Sequence, residues 1–189
     1  MDPEAPDPDE RLRPALEALA ETDPALGRAY AACGLPPVRR ADPGFAGIVN
    51  IVASQQLSKD AAGAIVRRIR QRLDPVTPDG FLALDEAEAT ALGLSRPKVR
   101  YLRGVAQAVA SGELDFAQLQ AADDATAMER LTALKGIGTW TAEIYLLFAL
   151  ERPDVFPAQD LALQVSAQRI HALDARPDAK TLRTLAETW

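Results

Sequence analysis

Residues 134–142 read LKGIGTWTA, and this short run joins two helices of different character. Residues 124–134 have the periodicity of an amphipathic helix, whereas residues 139–150 (TWTAEIYLLFAL) are almost wholly apolar and predict a buried helix. Only Lys-Gly-Ile-Gly lies between them. Two glycines allow the backbone to reverse at φ values that a Cβ resists, and Ile137 anchors the turn in the core. The sequence therefore predicts a tight hairpin of two helices.

The start of the second helix is suited to bind phosphate. Its first backbone N–H groups have no partner within the helix, and its dipole places positive charge at the same end. Such a turn holds a phosphodiester backbone without reading bases, although Gly-x-Gly alone more often marks a helix corner with no ligand. The residues predicted to contact the DNA backbone are Lys135, Gly136, Ile137, Gly138 and Thr139.

A second motif follows in residues 154–164, which read DVFPAQDLALQ. Asp160 stands between the turn at Pro157 and the apolar helix that begins with Leu161. An aspartate at this position caps a helix, because its carboxylate accepts hydrogen bonds from the first backbone N–H groups. The same carboxylate can also serve chemistry, and the two roles are compatible.

In this order and separation, the two motifs resemble those of the DNA glycosylase superfamily named for its helix-hairpin-helix and Gly/Pro–Asp motifs. Within it the chain is most similar to the 3-methyladenine DNA glycosylase II (AlkA-like) branch, from about Phe45 to the C-terminus. The resemblance implies an all-α, two-lobed fold with the active-site cleft between the lobes. Residues 44–152 are then the central lobe, and residues 11–43 with 153–189 form the second lobe, which carries Asp160.

The resemblance also implies a reaction in base excision repair. A member of this branch rotates a damaged nucleotide out of double-stranded DNA and hydrolyses the N-glycosidic bond of an alkylated purine, of the 3-methyladenine or 7-methylguanine type. The sugar becomes positively charged in the transition state, so Asp160 would stabilise that charge and orient the attacking water. Alkylation makes the base cationic and a good leaving group, so a second acid is dispensable.

Trp140 occupies the motif position that holds a lysine in the bifunctional members of the superfamily. That lysine forms a Schiff base and nicks the strand, so the resemblance implies that this chain has no AP-lyase activity. Trp140 also offers a π-face to a cationic base, and Ile144, one helical turn later, shares its face. We therefore expect both residues in the base pocket, with plain core packing as the alternative for Trp140.

Two further roles are implied by the resemblance. Residues 53–58 (ASQQLS) link two helices, and Gln56 corresponds to the residue that fills the gap left by the flipped nucleotide. A polar turn between helices explains Gln56 equally well. The positions whose backbone carbonyls bind a monovalent cation (Na⁺ or K⁺) in relatives are Thr132, Leu134 and Ile137.

The net charge of −6 is unusual for a DNA-binding protein, and most of it lies in one segment. Residues 1–10 (MDPEAPDPDE) contain five acidic residues and no base, and we expect this acidic tail to be disordered. The rest of the chain is nearly neutral, which suits an enzyme that contacts few phosphates. We interpret two basic clusters as solvated helix faces, with phosphate contacts as the alternative. They comprise Arg67, Arg68, Arg70 and Arg72, and Arg96, Lys98, Arg100 and Arg103.

Cysteine and histidine are too scarce for most cofactor sites. The single Cys33 excludes a disulfide framework and the four-cysteine iron–sulfur cluster of the endonuclease III branch. His171 is the one histidine, which argues against a zinc site, and we expect no organic cofactor. Neither a signal peptide nor a membrane span is recognisable. We expect a cytoplasmic monomer that acts on DNA of the bacterial nucleoid.

The predicted helices are short and numerous, and the sequence has no convincing strand pattern. They cover residues 10–21, 24–33, 44–55, 58–73, 79–83, 85–92, 97–111, 115–120, 124–134, 139–150, 160–171 and 178–188.

In the family, a further basic, Trp-containing helix follows the position of Trp189 and contributes to the base pocket. That helix is missing from the sequence, so we expect either a longer natural chain or an unusually open pocket. Two alternative functions stay open. One is a glycosylase for another base, such as uracil or an oxidised purine, and the other is a helix-hairpin-helix DNA-binding protein without catalysis.

Overall fold

The computed structural model describes residues 9–189, which form twelve α-helices, one short 3-10 turn and no β-strand. The 3-10 turn spans Glu10–Leu12. The helices are α1 (Arg13–Thr22), α2 (Pro24–Cys33), α3 (Gly44–Ser54), α4 (Lys59–Arg72), α5 (Pro78–Ala83), α6 (Glu86–Ala91), α7 (Arg96–Ala110), α8 (Phe116–Ala121), α9 (Asp124–Thr132), α10 (Thr139–Phe148), α11 (Leu161–Ile170) and α12 (Ala179–Ala186). The prediction of an all-α protein is confirmed. None of these helices is both long and apolar enough to cross a membrane.

Side-chain caps explain why the helices begin where the sequence predicted. An aspartate or hydroxyl side chain accepts hydrogen bonds from the first backbone N–H groups of most helices, which satisfies donors that the helix itself leaves without a partner. Ser58 caps α4 in this way, and Asp85 and Glu88 form a reciprocal capping box at α6. The other capping aspartates are Asp23, Asp115, Asp123, Asp160 and Asp178.

The chain folds as two compact units. The central unit is Arg40–Val155, and the split unit combines the described residues up to Arg39 with Phe156–Trp189. The sequence placed the boundaries at residues 44 and 152. The central unit is longer because its ends are tied to each other: Ala41 N–H donates to the Phe148 carbonyl at 2.8 Å, and Arg40 pairs with Glu151 at 2.7 Å.

The acidic tail was predicted to be disordered over residues 1–10, and residues 1–8 lie outside the described part of the chain. For the last two residues the prediction is wrong. Asp9 is only 5% exposed, and its carboxylate pairs with the Arg11 guanidinium at 2.8 Å. Glu10 pairs with Arg13 at 2.8 Å. Each of these acids thus pairs with an arginine two or three residues later in the chain.

The core of the central unit forms around α3 and α10, the two most apolar helices. Ile48, Val49 and Val52 of α3 are fully buried, as are Tyr145 and Leu146 of α10. The Tyr145 hydroxyl accepts a hydrogen bond from the Gly44 N–H at 2.8 Å, and burial raises the pKa of this phenol to about 12. The start of α3 is therefore fixed against the middle of α10.

The interpretation of the two basic clusters as helix faces exposed to solvent agrees with the structure for six of the eight residues, namely Arg67, Arg68, Arg70, Arg72, Arg96 and Arg100. Lys98 and Arg103 are partly buried. Two of the exposed arginines contact acids from other segments: Arg70 donates to Asp42, and Arg72 pairs with Glu88 at 2.9 Å. Other members donate to backbone carbonyls: Arg68 to Leu92, Lys98 to Ala53 and Gln55, and Arg103 to Leu84. The partners come from other segments of the chain, which is why each cluster seemed to lack acids in the sequence.

The split unit has few buried apolar side chains and a polar cluster instead. The Trp189 indole N–H donates to Asp23 Oδ2 at 2.9 Å, and the ring stacks on His171 with 5.8 Å between centroids. Phe156 packs edge-on against the same indole at 5.7 Å. Asp23 also caps α2 through its other oxygen, so one carboxylate connects both ends of this unit.

Candidate functional site

The hairpin comprises residues 133–138, between the end of α9 and the start of α10. Its turn is closed by a hydrogen bond from Ile137 N–H to the Leu134 carbonyl at 3.0 Å. The Ile137 side chain is 3% exposed and joins the core of the central unit. The predicted role of Ile137 as the anchor of the turn is therefore seen in the structure.

The two hairpin glycines differ in backbone conformation and in the space around them. Gly136 has a φ of +92°, and a Cβ there would lie 2.1 Å from the Tyr101 ring. Gly138 has an ordinary φ of −89°, and no atom lies within 4 Å of a Cβ built on it. The prediction that both glycines are needed by the backbone is thus correct for Gly136 and wrong for Gly138. Tyr101 was not predicted, since it lies on a distant helix and gives no local signal.

The N-terminus of α10 stands apart from the aspartate-capped helices. Gly138 is its N-cap and supplies no side-chain acceptor, and the first turn contains no acid. Gly138, Thr139 and the neighbouring Lys135 are exposed. The positive end of the helix dipole and its first N–H groups are therefore accessible to an anion, which is the arrangement of a phosphate site.

Trp140 and Ile144 line the same open pocket of about 510 Å³ in the central unit. Both are partly buried and also pack against the core, so the two interpretations of Trp140 are compatible. Another part of the wall is polar: the Asn50 side-chain amide donates to Asp42 Oδ2 at 2.8 Å, and Arg70 donates to the same oxygen. The sequence did not predict this wall, because its members come from three separate segments.

The loop of residues 55–58 (QQLS) joins α3 to α4. Gln56 is exposed and has a φ of 58°, which is rare for a residue with a Cβ. Its neighbour Gln55 donates from its side-chain amide to the Thr141 hydroxyl in the first turn of α10, at 2.8 Å. The loop is thereby attached to the helix that carries Trp140.

Lys98 of α7 forms hydrogen bonds with the backbone at the start of the same loop. Its ammonium group donates to the carbonyls of Ala53 and Gln55 at 2.9 and 2.8 Å, and burial lowers its pKa. The position of Lys98 in the first turn of α7 is a sequence feature that could have indicated this role. A cation in the first turn of a helix opposes the helix dipole, which indicates that its charge is used elsewhere.

Asp160 lies in the split unit, at the N-terminus of α11. Its Oδ1 accepts hydrogen bonds from the backbone N–H groups of Ala162 at 2.8 Å and Leu163 at 3.1 Å. The Asp160 N–H donates to the Pro157 carbonyl at 2.8 Å. The residue is thus the predicted helix cap.

Comparison with solved structures gives close matches. The structure of a 3-methyladenine DNA glycosylase from Schizosaccharomyces pombe, in complex with abasic DNA, matches with a TM-score of 0.87 and 30% identity over 93% of this chain and 88% of that one. A DNA-3-methyladenine glycosidase from Bacillus halodurans matches with a TM-score of 0.77 and 32% identity over 93% and 82% of the two chains.

Curated sequences give the same result. DNA-3-methyladenine glycosylase 1 of Schizosaccharomyces pombe is 35% identical over 134 residues, which are 69% of this chain and 59% of the relative. The chain thus spans somewhat more than half the length of that relative. The model of the HhH-GPD superfamily of base excision DNA repair proteins matches residues 49–189, which contain the hairpin, Trp140 and Asp160. The chain belongs to the HhH-GPD superfamily of base excision DNA repair proteins.

Proposed function

We propose that this protein is a monofunctional DNA glycosylase that hydrolyses the N-glycosidic bond of alkylated purines in damaged double-stranded DNA. The observation that carries the proposal is the structural match to a 3-methyladenine DNA glycosylase in complex with abasic DNA. Abasic DNA is what remains after a glycosylase releases its base. The residues of this chain provide a suitable group for each step of such a reaction.

Binding of the DNA backbone falls to the hairpin. The uncapped N-terminus of α10 offers its first N–H groups to a phosphate, and the exposed Lys135 adds a positive charge. Gly138 has no side chain to hold the phosphate away. Contacts of this kind do not depend on the base sequence, as a repair enzyme that scans all DNA requires.

A monovalent cation at the hairpin fits the same purpose. The carbonyls of Thr132, Leu134 and Ile137 would hold it, and backbone oxygens are suitable ligands for Na⁺ or K⁺. Thr132 is the last residue of α9, so its carbonyl is among those that the helix leaves without an internal partner. Leu134 accepts one hydrogen bond, from Ile137 N–H, and a carbonyl has two lone pairs. The bound ion would add positive charge beside the phosphate.

Rotation of the damaged nucleotide out of the duplex leaves a gap that a protein side chain must fill. We assign this role to Gln56. Its side chain is exposed on a loop that Gln55 attaches to Thr141, one residue after Trp140. A glutamine stacks less well than an apolar wedge but can form hydrogen bonds with the opposite base.

The pocket lined by Trp140 and Ile144 would receive the flipped base. An indole face attracts a cationic purine, and this attraction is worth about 0.5–2 kcal/mol depending on how far the base is desolvated. A neutral base gains only the packing against the ring. The pocket therefore favours bases that carry a positive charge from alkylation.

Asp160 would act on the sugar. Positive charge develops at C1′ as the glycosidic bond breaks, and a carboxylate stabilises that charge and orients the attacking water. We assign this work to the carboxylate as a whole, whose Oδ1 also caps α11. The cap fixes the carboxylate in one orientation, so the same contacts that start the helix also preorganise the catalytic group.

Strand cleavage is not expected, because Trp140 cannot form a Schiff base with the sugar. Lys135, on the hairpin, would meet phosphate and not C1′. Borohydride should therefore trap no covalent adduct between the protein and lesion-containing DNA. A trapped adduct would contradict the monofunctional assignment.

The test of the proposed function is the release of 7-methylguanine from alkylated duplex DNA. The parent chain should release this base and leave an intact strand with an abasic site, whereas Asp160→Asn should be slower by about 10²-fold or more. Asp178→Asn is the control, because Asp178 caps another helix of the same unit, through a hydrogen bond from Thr181 N–H at 2.8 Å, and an asparagine cap should be tolerated. Release of only uracil or an oxidised purine would redefine the substrate, and DNA binding without any release would indicate a non-catalytic protein.

A further inference from the structure

Gln56 has a backbone conformation that needs support from its surroundings. With φ at 58° it lies in the left-handed region, which costs a residue with a Cβ roughly 1–2 kcal/mol. The side chain is exposed, so it makes few contacts of its own to offset this cost. A left-handed residue persists only where its neighbours determine the conformation.

Two side chains from other helices, Lys98 and Thr141, hold the segment on the N-terminal side of Gln56 through hydrogen bonds. Lys98 of α7 donates to the carbonyls of Ala53 and Gln55, at 2.9 and 2.8 Å. These carbonyls end α3, where the helix leaves acceptors without partners and where a positive charge complements the helix dipole. Gln55 in turn donates to Thr141 of α10 at 2.8 Å.

We propose that Lys98 is a positioning residue for base flipping, which holds Gln56 in the conformation that fills the gap in the duplex. The inference rests on the proposed function, because it assigns Lys98 a role in presenting Gln56. Lys98 need not touch the DNA. Its two hydrogen bonds keep the loop ordered before DNA binds, so the entropy of ordering the loop is not lost during insertion.

The Gln55–Thr141 hydrogen bond also connects the Gln56 loop to the helix that carries Trp140. Thr141 directly follows Trp140, which lines the pocket for the flipped base. The residue that fills the gap and the residue that receives the base are thus connected through one side-chain contact. Loss of Lys98 should therefore disturb the flipping step more than the chemistry at the sugar.

The experiment compares two substrates that differ in the cost of flipping. One is 7-methylguanine paired with cytosine, and the other is 7-methylguanine opposite a tetrahydrofuran abasic-site analogue, where the lesion has no partner to leave. Single-turnover release by Lys98→Met should fall about tenfold on the paired lesion, the equivalent of ordering roughly one residue. On the unopposed lesion the rate should change by about twofold or less.

Controls separate positioning from a general effect. Gln56→Ala should show the same preference for the unopposed lesion, and the double variant Lys98→Met/Gln56→Ala should be no slower than Gln56→Ala alone, since both act on one interaction. Lys59→Met removes an exposed cation at the start of α4 and should not change the ratio of the two rates. If Lys98→Met does not fold, Thr141→Val removes the acceptor for Gln55 and should shift the ratio in the same direction.

Several outcomes would overturn the proposal. Equal losses on both substrates would mean that Lys98 is merely structural, and a paired-lesion rate unaffected by Gln56→Ala would mean that Gln56 does not fill the gap. Additive losses in the double variant would separate Lys98 from Gln56. Failure of the parent chain to release base from either substrate would instead contradict the proposed function itself.

Discussion

The central unit and the split unit are stabilised by different means. In the central unit, α3, α7 and α10 bury apolar side chains completely, including Ile48, Leu102 and Leu146. In the described part of the split unit, the buried apolar side chains are Pro157, Ala158, Ala167, Pro177 and Leu182, and all but Leu182 are small. Its main long-range contacts are the polar and aromatic ones around Trp189. Complete burial of aliphatic side chains is thus prominent in the central unit, whereas ring contacts and a hydrogen bond around Trp189 are prominent in the split unit.

This difference matches the tasks that we assign to the two units. The hairpin and the loop with Gln56 must hold a fixed shape against DNA, and both are attached to the large core through Ile137 and Lys98. Asp160 requires only that one carboxylate be oriented, and its own helix cap does this locally. A lightly packed unit is therefore sufficient to carry the catalytic group.

The largest effect on stability is expected from Gly136→Ala. The substitution forces a Cβ into left-handed backbone and places it 2.1 Å from the Tyr101 ring, so either the hairpin or the ring must move. We expect the free energy of unfolding to fall by at least about 2 kcal/mol. Urea unfolding followed by Trp140 fluorescence in a Trp189→Phe background measures the effect in the central unit.

Gly138→Ala is the matched control for this prediction. Its φ of −89° suits alanine and its Cβ meets no atom, so stability should change by less than about 0.5 kcal/mol. Equal destabilisation by the two substitutions would show that the contact between Tyr101 and Gly136 does not shape the hairpin.

A smaller effect is expected from Trp140→Ala, on the choice of lesion. Loss of the indole should slow release of cationic 7-methylguanine more than release of a neutral base such as hypoxanthine, by the equivalent of about 0.5–2 kcal/mol. Ile144→Ala is the control, because Ile144 lines the same pocket without a π-face and should slow both reactions alike. If the two variants gave the same pattern, the pocket would not select for charge.

The smallest effect concerns pH and the split unit. Burial acts to raise the pKa of Asp23, but hydrogen bonds from the Leu26 and Ala25 N–H groups and from the Trp189 indole, together with His171, hold it below its ordinary value. A carboxylate whose pKa is lower in the folded state stabilises the fold above its unfolded pKa of about 3.9. That stabilisation is lost as the pH falls through the lower, folded pKa.

Each unit contains one tryptophan, so the acid response of each can be followed separately. With Trp140→Phe, Trp189 reports the split unit; with Trp189→Phe, Trp140 reports the central unit. Glu88 and Asp123 of the central unit also have lowered pKa values, but its apolar core does not titrate. The Trp189 signal should therefore change at the higher pH. Because hydrogen bonds from Thr181 also lower the pKa of Asp178 in this unit, Asp23→Asn, which keeps the cap, should reduce this acid transition without abolishing it. A single shared transition would argue against the difference between the units.

The comparison also explains which features the sequence could predict. Helix ends, the Ile137 anchor and the Asp160 cap depend on residues within one turn of each other, so periodicity and capping rules identify them. The Tyr101 contact, the Lys98 hydrogen bonds and the wall formed by Asp42 join segments far apart in the chain. Such contacts depend on how helices pack, and the pattern of a single helix does not contain that information.

The central claim is that binding and chemistry are separate functions of the hairpin and of Asp160. It is tested most directly by measuring DNA affinity and single-turnover 7-methylguanine release for Asp160→Asn and Gly138→Ala together. We predict that Asp160→Asn binds abasic-site DNA as the parent does but releases base slower by about 10²-fold or more. Gly138→Ala should bind all DNA sequences more weakly, yet release base at the parent rate when enzyme is saturating. Release by Asp160→Asn near the parent rate, or unchanged binding by Gly138→Ala with a lower saturating rate, would contradict this account.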